Sequence, residues 1–226
     1  LVSLSLDTSG APLHKRGHRQ ATGKAPLRET LAALFLRRCG HDGSEPVLDP
    51  MCGAGTFPIE AAEIARGLAP GRDRRFAFED LATFDAPAWQ AMRAAGTPRE
   101  TEMRFHGLDR DAGAVRMATE NAERAGVAGC TSFAAQPISA LTRPDGPPGL
   151  VMVNPPYGAR IGNRKALFGL YGSLGEVLRR EMRGWRVGLV TSDGGLARAT
   201  GLPFLPPEPP VAHGGLKVTL WRTDPL

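Results

Sequence analysis

Along most of the chain, short apolar runs alternate with longer segments of helical periodicity. The opening "LVSLSLDTSG" alternates apolar and polar residues, which predicts a half-buried strand ending in a Ser-Gly turn. In "APLRETLAALFLRR", Leu27, Leu31, Leu34 and Phe35 recur at helical spacing behind an early proline, which predicts a helix. "PVLD" reads as a short buried strand. A glycine turn follows, then a helix from about Thr56 to Arg66, with Pro58 in the first turn, where a missing N–H costs little. Residues 67–101 break the rhythm. Rich in Arg, Gly and Pro, they read as an insertion with some helix around Trp89 to Ala95. Beyond them come "MRFHGLD" (strand), "DAGAVRMATENAERAG" (helix), "CTSFAAQ" (strand), "GLVMVNPP" (strand), "KALFGLYGSLGEVLRREM" (helix) and "WRVGLVTSD" (strand). The closing "GGLKVTLWR" alternates cleanly and predicts a last, antiparallel strand. Such an alternation implies an α/β fold, a mostly parallel sheet with helices on both faces. Ligands of such sheets sit beyond the carboxyl ends of the strands.

Composition changes this picture little. The 226 residues suffice for one large domain or a domain with an appendage. No apolar run reaches the roughly 18 residues of a membrane span, and no leader pattern is legible. The first residue is Leu rather than Met, which points to a piece of a longer chain. Lys and Arg number 28 against 23 Asp and Glu, a net charge of +5 that permits a polyanionic partner without requiring one. "LHKRGHR" gathers Lys15, Arg16 and Arg19 beside His14 and His18. Cys39, Cys52 and Cys130 show no paired spacing, which fits reduced thiols in a cytoplasm. The histidines form no ligand spacing, so no metal is expected.

The chemistry starts at "LDPMCGAGTFPIEAA". Gly53 and Gly55 let the backbone curve and leave no side chain over a ligand. The dinucleotide fingerprint fails, because position 58 is proline, and no Gly-Lys-Ser/Thr follows for a phosphate loop. The bound group is therefore not a polyphosphate. The next strand ends in "GLDRD", where Asp109 is placed to accept hydrogen bonds from ribose hydroxyls and Asp111 to cap the following helix. A glycine turn and a ribose-binding acid without a phosphate loop fit a nucleoside cofactor, S-adenosylmethionine foremost.

"VMVNPPYG" ends a strand on two prolines, which donate no ladder hydrogen bonds. Asn154 offers a side-chain carbonyl, Pro155 a backbone carbonyl and Tyr157 a flat ring. Together they suit a planar base with an exocyclic amine. Two oxygens can accept the two amine hydrogens and stabilise the positive charge that develops on nitrogen during methyl transfer.

"LDPMCGAGT" and "NPPYG" resemble motifs I and IV of class I S-adenosylmethionine-dependent methyltransferases acting on amino groups. With "SLDTSGAPLHKRGHR", "APLRETLAA", "DPMCGAGTFPIEAA" and "NPPYGARIG", the chain resembles the catalytic domain of the THUMP-associated RNA guanine-N2 methyltransferases, the UPF0020 type. Its nearest branch modifies large-subunit ribosomal RNA. The resemblance implies a Rossmann-like, seven-stranded sheet with an antiparallel last strand. It implies a methyltransferase domain over 26–226 and, over 1–25, a segment joining an upstream THUMP-type RNA-binding domain not present in this chain. It places Asp49, Gly53 and Gly55 around the cofactor, Asp109 on its ribose, and Asn154, Pro155 and Tyr157 on the target base, with Thr56 supporting. Two positions depart from the family pattern. Pro137 stands where an acid contacts the cofactor's adenine, with Gln136 and Ser139 the nearest substitutes, and Ala159 stands where Glu is common. Cys52 lies in the cofactor turn and reads as a packing residue, since amine methylation needs no covalent step. The alternatives are an adenine-N6 methylase of DNA or RNA and a non-catalytic RNA-binding module that keeps the fold.

Overall fold

The computed structural model describes residues 2–15, 17, 27–157 and 164–226. Six α-helices and seven strands follow one another as α1 (Glu29–Arg38), β1 (Val47–Asp49), α2 (Thr56–Ala65), α3 (Ala86–Ala95), β2 (Phe105–Asp109), α4 (Ala112–Arg124), β3 (Thr131–Ala135), β4 (Leu150–Val153), α5 (Arg164–Glu181), β5 (Arg186–Thr191), α6 (Gly194–Ala199), β6 (Val211–His213) and β7 (Leu216–Arg222). The sheet order is β3-β2-β1-β4-β5-β7-β6. β1 to β5 pair in parallel, and β7 runs antiparallel to both β5 and β6. The strand order reverses direction between β1 and β4, and the crevice above such a switch point is where open α/β sheets hold ligands.

Both faces of the sheet are buried, so the central strands are apolar throughout rather than alternating. Val47, Leu150 and Met152 face Phe35 of α1 and Phe57 of α2. Leu48, Val151 and Val153, one residue out of phase, face Tyr171 and Leu174 of α5 and Leu196 of α6. This two-sided burial holds the strand ends that carry the site.

The opening strand is not formed. Val2, Leu4 and Leu6 are 86%, 94% and 70% exposed, and residues 2–6 pair with no described strand. An alternating pattern records a tendency to pair, and a strand forms only where an edge receives it. The segment is tied down further on, where Thr8 O accepts from Phe78 N at 3.0 Å and Arg74 donates to Ser9 O. Two short elements were not anticipated. β6 has only three residues, and α6 opens on Gly194-Gly195, a pair that reads as a turn. The helix expected near Trp89 is α3, whose Asp85 cap accepts from Ala88 N. Of "LHKRGHR", Arg16, His18 and Arg19 lie outside the described residues, as does Ala159.

Candidate active site

The glycine turn is built by backbone geometry. Gly53 and Gly55 have φ of 52° and 83°, in the left-handed region that favours glycine. The two differ in what surrounds them. A Cβ on Gly55 would lie 3.0 Å from Ala118 and 3.1 Å from Phe133, so this glycine lets α2 pack against α4 and β3. A Cβ on Gly53 would meet nothing within 4 Å, so this glycine faces open space. The turn is also braced from neighbouring elements. Cys52 N donates to Leu108 O at 2.8 Å, and Asn121 Nδ2 donates to Ala54 O at 3.0 Å.

Two carboxyl groups flank the turn. Asp109 Oδ2 accepts from Gly53 N at 3.0 Å, and its Oδ1 accepts from Asp111 N at 2.9 Å. The acid at the end of β2 therefore fastens the turn at the end of β1, and each oxygen keeps a further lone pair. Asp49 is 3% exposed and accepts from Met51 N at 3.0 Å. Burial, and then the neighbouring Asp109 carboxylate, hold its pKa well above the usual carboxylate range. Asp111 caps α4 as expected, accepting from Gly113 N at 2.7 Å. Burial raises the Cys52 thiol far above its ordinary pKa, so Cys52 packs as a neutral side chain.

The loop over residues 154–157 follows β4, the strand beside β1. Register pairs Leu48 with Val151, so Asp49 ends its strand close to where Asn154 leaves the next. The Oδ1 of Asn154 is buried and has no hydrogen-bond partner among the described residues. No described backbone N–H donates to the Pro155 carbonyl. Pro155 is buried and Pro156 exposed. Tyr157 is half-buried against both core clusters, and burial raises its hydroxyl pKa. Beneath the loop, the Tyr171 hydroxyl donates to Thr191 Oγ1 at 3.3 Å, and Thr191 Oγ1 accepts from Asp193 N at 3.2 Å.

Asp49, Gly53, Gly55 and Asp109 thus meet at the ends of β1 and β2, with Asn154, Pro155 and Tyr157 at the end of β4. Of the residues near Pro137, Gln136 donates its side-chain amide to Ala140 O, and Ser139 is exposed. Asn121 escaped the sequence reading. Its signal was a polar residue on the apolar stripe of α4, among Ala114, Ala118 and Ala122. Among the described residues, no cluster of His, Cys, Asp or Glu could hold a metal ion.

Residues 16–202 match the UPF0020 family, described as the RMKL-like methyltransferase domain. The chain belongs to this family. The relatives it matches are longer proteins. The ribosomal RNA large subunit methyltransferase K/L of Vibrio campbellii is 41% identical over 197 residues, which is 84% of this chain but 28% of that protein. Among solved structures, SMU.472 in complex with SAH superposes with a TM-score of 0.89 at 30% identity, covering 97% of this chain and 58% of that one. A Listeria monocytogenes protein named as a predicted N6-adenine-specific DNA methylase gives 0.83 at 32% identity, covering 96% and 56%. This UPF0020 chain therefore spans about a quarter of its curated relative and somewhat more than half of these solved chains.

Proposed function

We propose that this chain transfers a methyl group from S-adenosylmethionine to the exocyclic N2 amine of guanine in RNA, with large-subunit ribosomal RNA as substrate. The observation that carries the reading is Asn154 Oδ1, a buried acceptor with no donor, beside the Pro155 carbonyl. An unsatisfied buried polar group costs about 1–3 kcal/mol, a cost relieved when an amine N–H reaches it. An exocyclic amine brings two such hydrogens to the two oxygens, and the Tyr157 ring offers the base a stacking face.

The residues around the glycine turn fit the cofactor. Gly53 opens on space rather than on side chains, and Asp109 keeps lone pairs for the ribose hydroxyls beyond the two it commits to backbone. Asp49 and Gly55 complete that side of the site. S-adenosylmethionine supplies an electrophilic methyl group on a sulfonium. The chain's own part is to hold the amine nitrogen with its lone pair out of conjugation. The oxygens of Asn154 and Pro155 then stabilise the positive charge growing there. Asn is no base near neutral pH, so the displaced proton passes to water. The rRNA methyltransferase name of the Vibrio relative and the SAH bound to SMU.472 support this reading. Three buried free cysteines accord with a cytoplasmic setting.

The name of the Listeria relative favours a second reading, adenine-N6 methylation, because the same loop accepts either amine. Mass analysis of nucleosides decides between them after the chain is incubated with S-adenosylmethionine and unmodified ribosomal or transfer RNA. N2-methylguanosine in ribosomal RNA is the expected product. N6-methyladenosine would establish the second reading. Cofactor binding with no methylated nucleoside would make this a non-catalytic RNA-binding module.

A further inference from the structure

α5 begins at the carboxyl end of the sheet, immediately beyond the base loop. Its apolar residues sort sharply: Leu167, Tyr171, Leu174 and Leu178 are buried, whereas Phe168 leaves 37% of its surface in solvent. Phe168 lies over the start of α6, where a Cβ on Gly195 would stand 3.7 Å from its ring. The Arg164 guanidinium is 5.7 Å from the ring centroid, near the outer limit of about 6 Å for a cation–π contact. Arg164 also reaches Asp193 at 3.8 Å. Asp193 caps α6, and its backbone N–H bonds to Thr191, which the buried Tyr171 also holds. These links place Arg164 and Phe168 over the end of β5, the strand next to the one that delivers Asn154.

We infer that Phe168, Arg164 and Lys165 form a second nucleotide subsite, which receives the base and phosphate next to the target base. The inference rests on the RNA-methylating reading above. A base whose amine is to be methylated must leave its stack, and its neighbour in the strand loses a stacking face. An exposed aromatic ring beside the base loop restores that face and tolerates any base, since every base has a π-face. The Arg164–Phe168 gap of 5.7 Å is about 1 Å less than the roughly 7 Å that two stacking layers of about 3.4 Å require, so a base stacks on the ring only as the guanidinium swings aside. Arg164 caps it with 79% of its side chain exposed, and the ion pair to Asp193 is long at 3.8 Å. Lys165, exposed at the same helix start, adds a second cation. The acid there, Asp193, commits Oδ1 to Gly195 N and Leu196 N and meets Arg164 only through Oδ2 at 3.8 Å, longer than a hydrogen bond.

The test uses this chain, a fluorescent short single-stranded RNA with one central guanosine, and methyl transfer to unmodified ribosomal RNA. Phe168→Leu keeps apolar packing without the ring, and Phe168→Trp keeps a ring. Phe168→Leu should weaken binding of the short RNA about tenfold and raise KM for ribosomal RNA similarly, with kcat nearly unchanged. A contact made equally before and during reaction behaves this way. Phe168→Trp should restore both values, and neither variant should alter affinity for S-adenosylmethionine. Wild-type RNA affinity in Phe168→Leu, or an equal loss in Phe168→Trp, would overturn the subsite. If wild-type chain methylates no RNA while short-RNA binding still follows the ring, the function proposed above fails and the subsite stands.

Discussion

Asp109 and Asn154 stand at the ends of strands separated by β1, and their substitutions should fail in opposite ways. Asp109→Ala removes the acceptor for ribose together with the anchor of Gly53 N. Hydrogen bonds to charged groups contribute about 1.5–3 kcal/mol, so calorimetry should show S-adenosylmethionine binding weakened roughly 10- to 150-fold. Asn154→Ala should leave that affinity nearly intact and slow methyl transfer about a hundredfold or more, by the scale for one lost transition-state acceptor. Equal effects of the two variants on cofactor affinity would dissolve the division. Asp49 permits a pH test. Burial and Asp109 raise its folded pKa, so the folded state holds a proton that the unfolded chain gives up near pH 4. The stability linked to that proton is present below about pH 4 and is lost as pH rises toward the folded pKa. Asp49→Asn cannot ionise, yet it keeps an oxygen for Met51 N. Its melting temperature relative to wild type should therefore climb as pH rises from about 4, and a difference independent of pH would refute the assignment. Asp109 was legible in the sequence because an acid ending the strand after a glycine turn has one obvious use. Its bond to Gly53 was not, since residues 56 positions apart meet only through the pairing of β1 with β2.

At the scale of elements, α5 and α6 meet through a glycine. A Cβ on Gly175 would lie 1.8 Å from Thr200 O, a distance at which backbone must move. Gly169, six residues earlier on the same helix, would meet nothing within 4 Å. Gly175→Ala should destabilise the fold by about 1–3 kcal/mol or more through overpacking. Gly169→Ala should be neutral or stabilising by up to about 1 kcal/mol, the helix-propensity gain. Urea denaturation of both variants checks the contrast. The long periodic elements could be read directly: α4, α5 and the strands that flank them lie where their apolar spacing places them. The misjudged elements were those whose existence depends on a neighbour. β6 is three residues that exist as a strand because β7 offers an edge. α6 forms despite two glycines because Asp193 caps it and Leu196 and Ala197 are buried. The opening segment has the alternation of a strand, yet no described edge takes it.

For the whole molecule, the excess of five positive charges becomes meaningful only when placed against an RNA. Lys15, Arg16 and Arg19 are proposed to contact phosphates, which add affinity without carrying sequence information. RNA binding by this chain should weaken steeply with salt and show little preference among RNAs. Neutralising the three together should flatten the log–log salt slope by about two to three units. Binding isotherms at several salt concentrations measure it, and an unchanged slope would return these residues to the role of solubilising surface. The switch point between β1 and β4 has a consequence for inheritance. On the proposed reading, the residues that grip the methyl donor sit on one side of it, and those that grip the acceptor sit on the other. A lineage can then rewrite the loops after β4 and β5, and so turn to a different acceptor, while the donor half passes unaltered from ancestor to descendant.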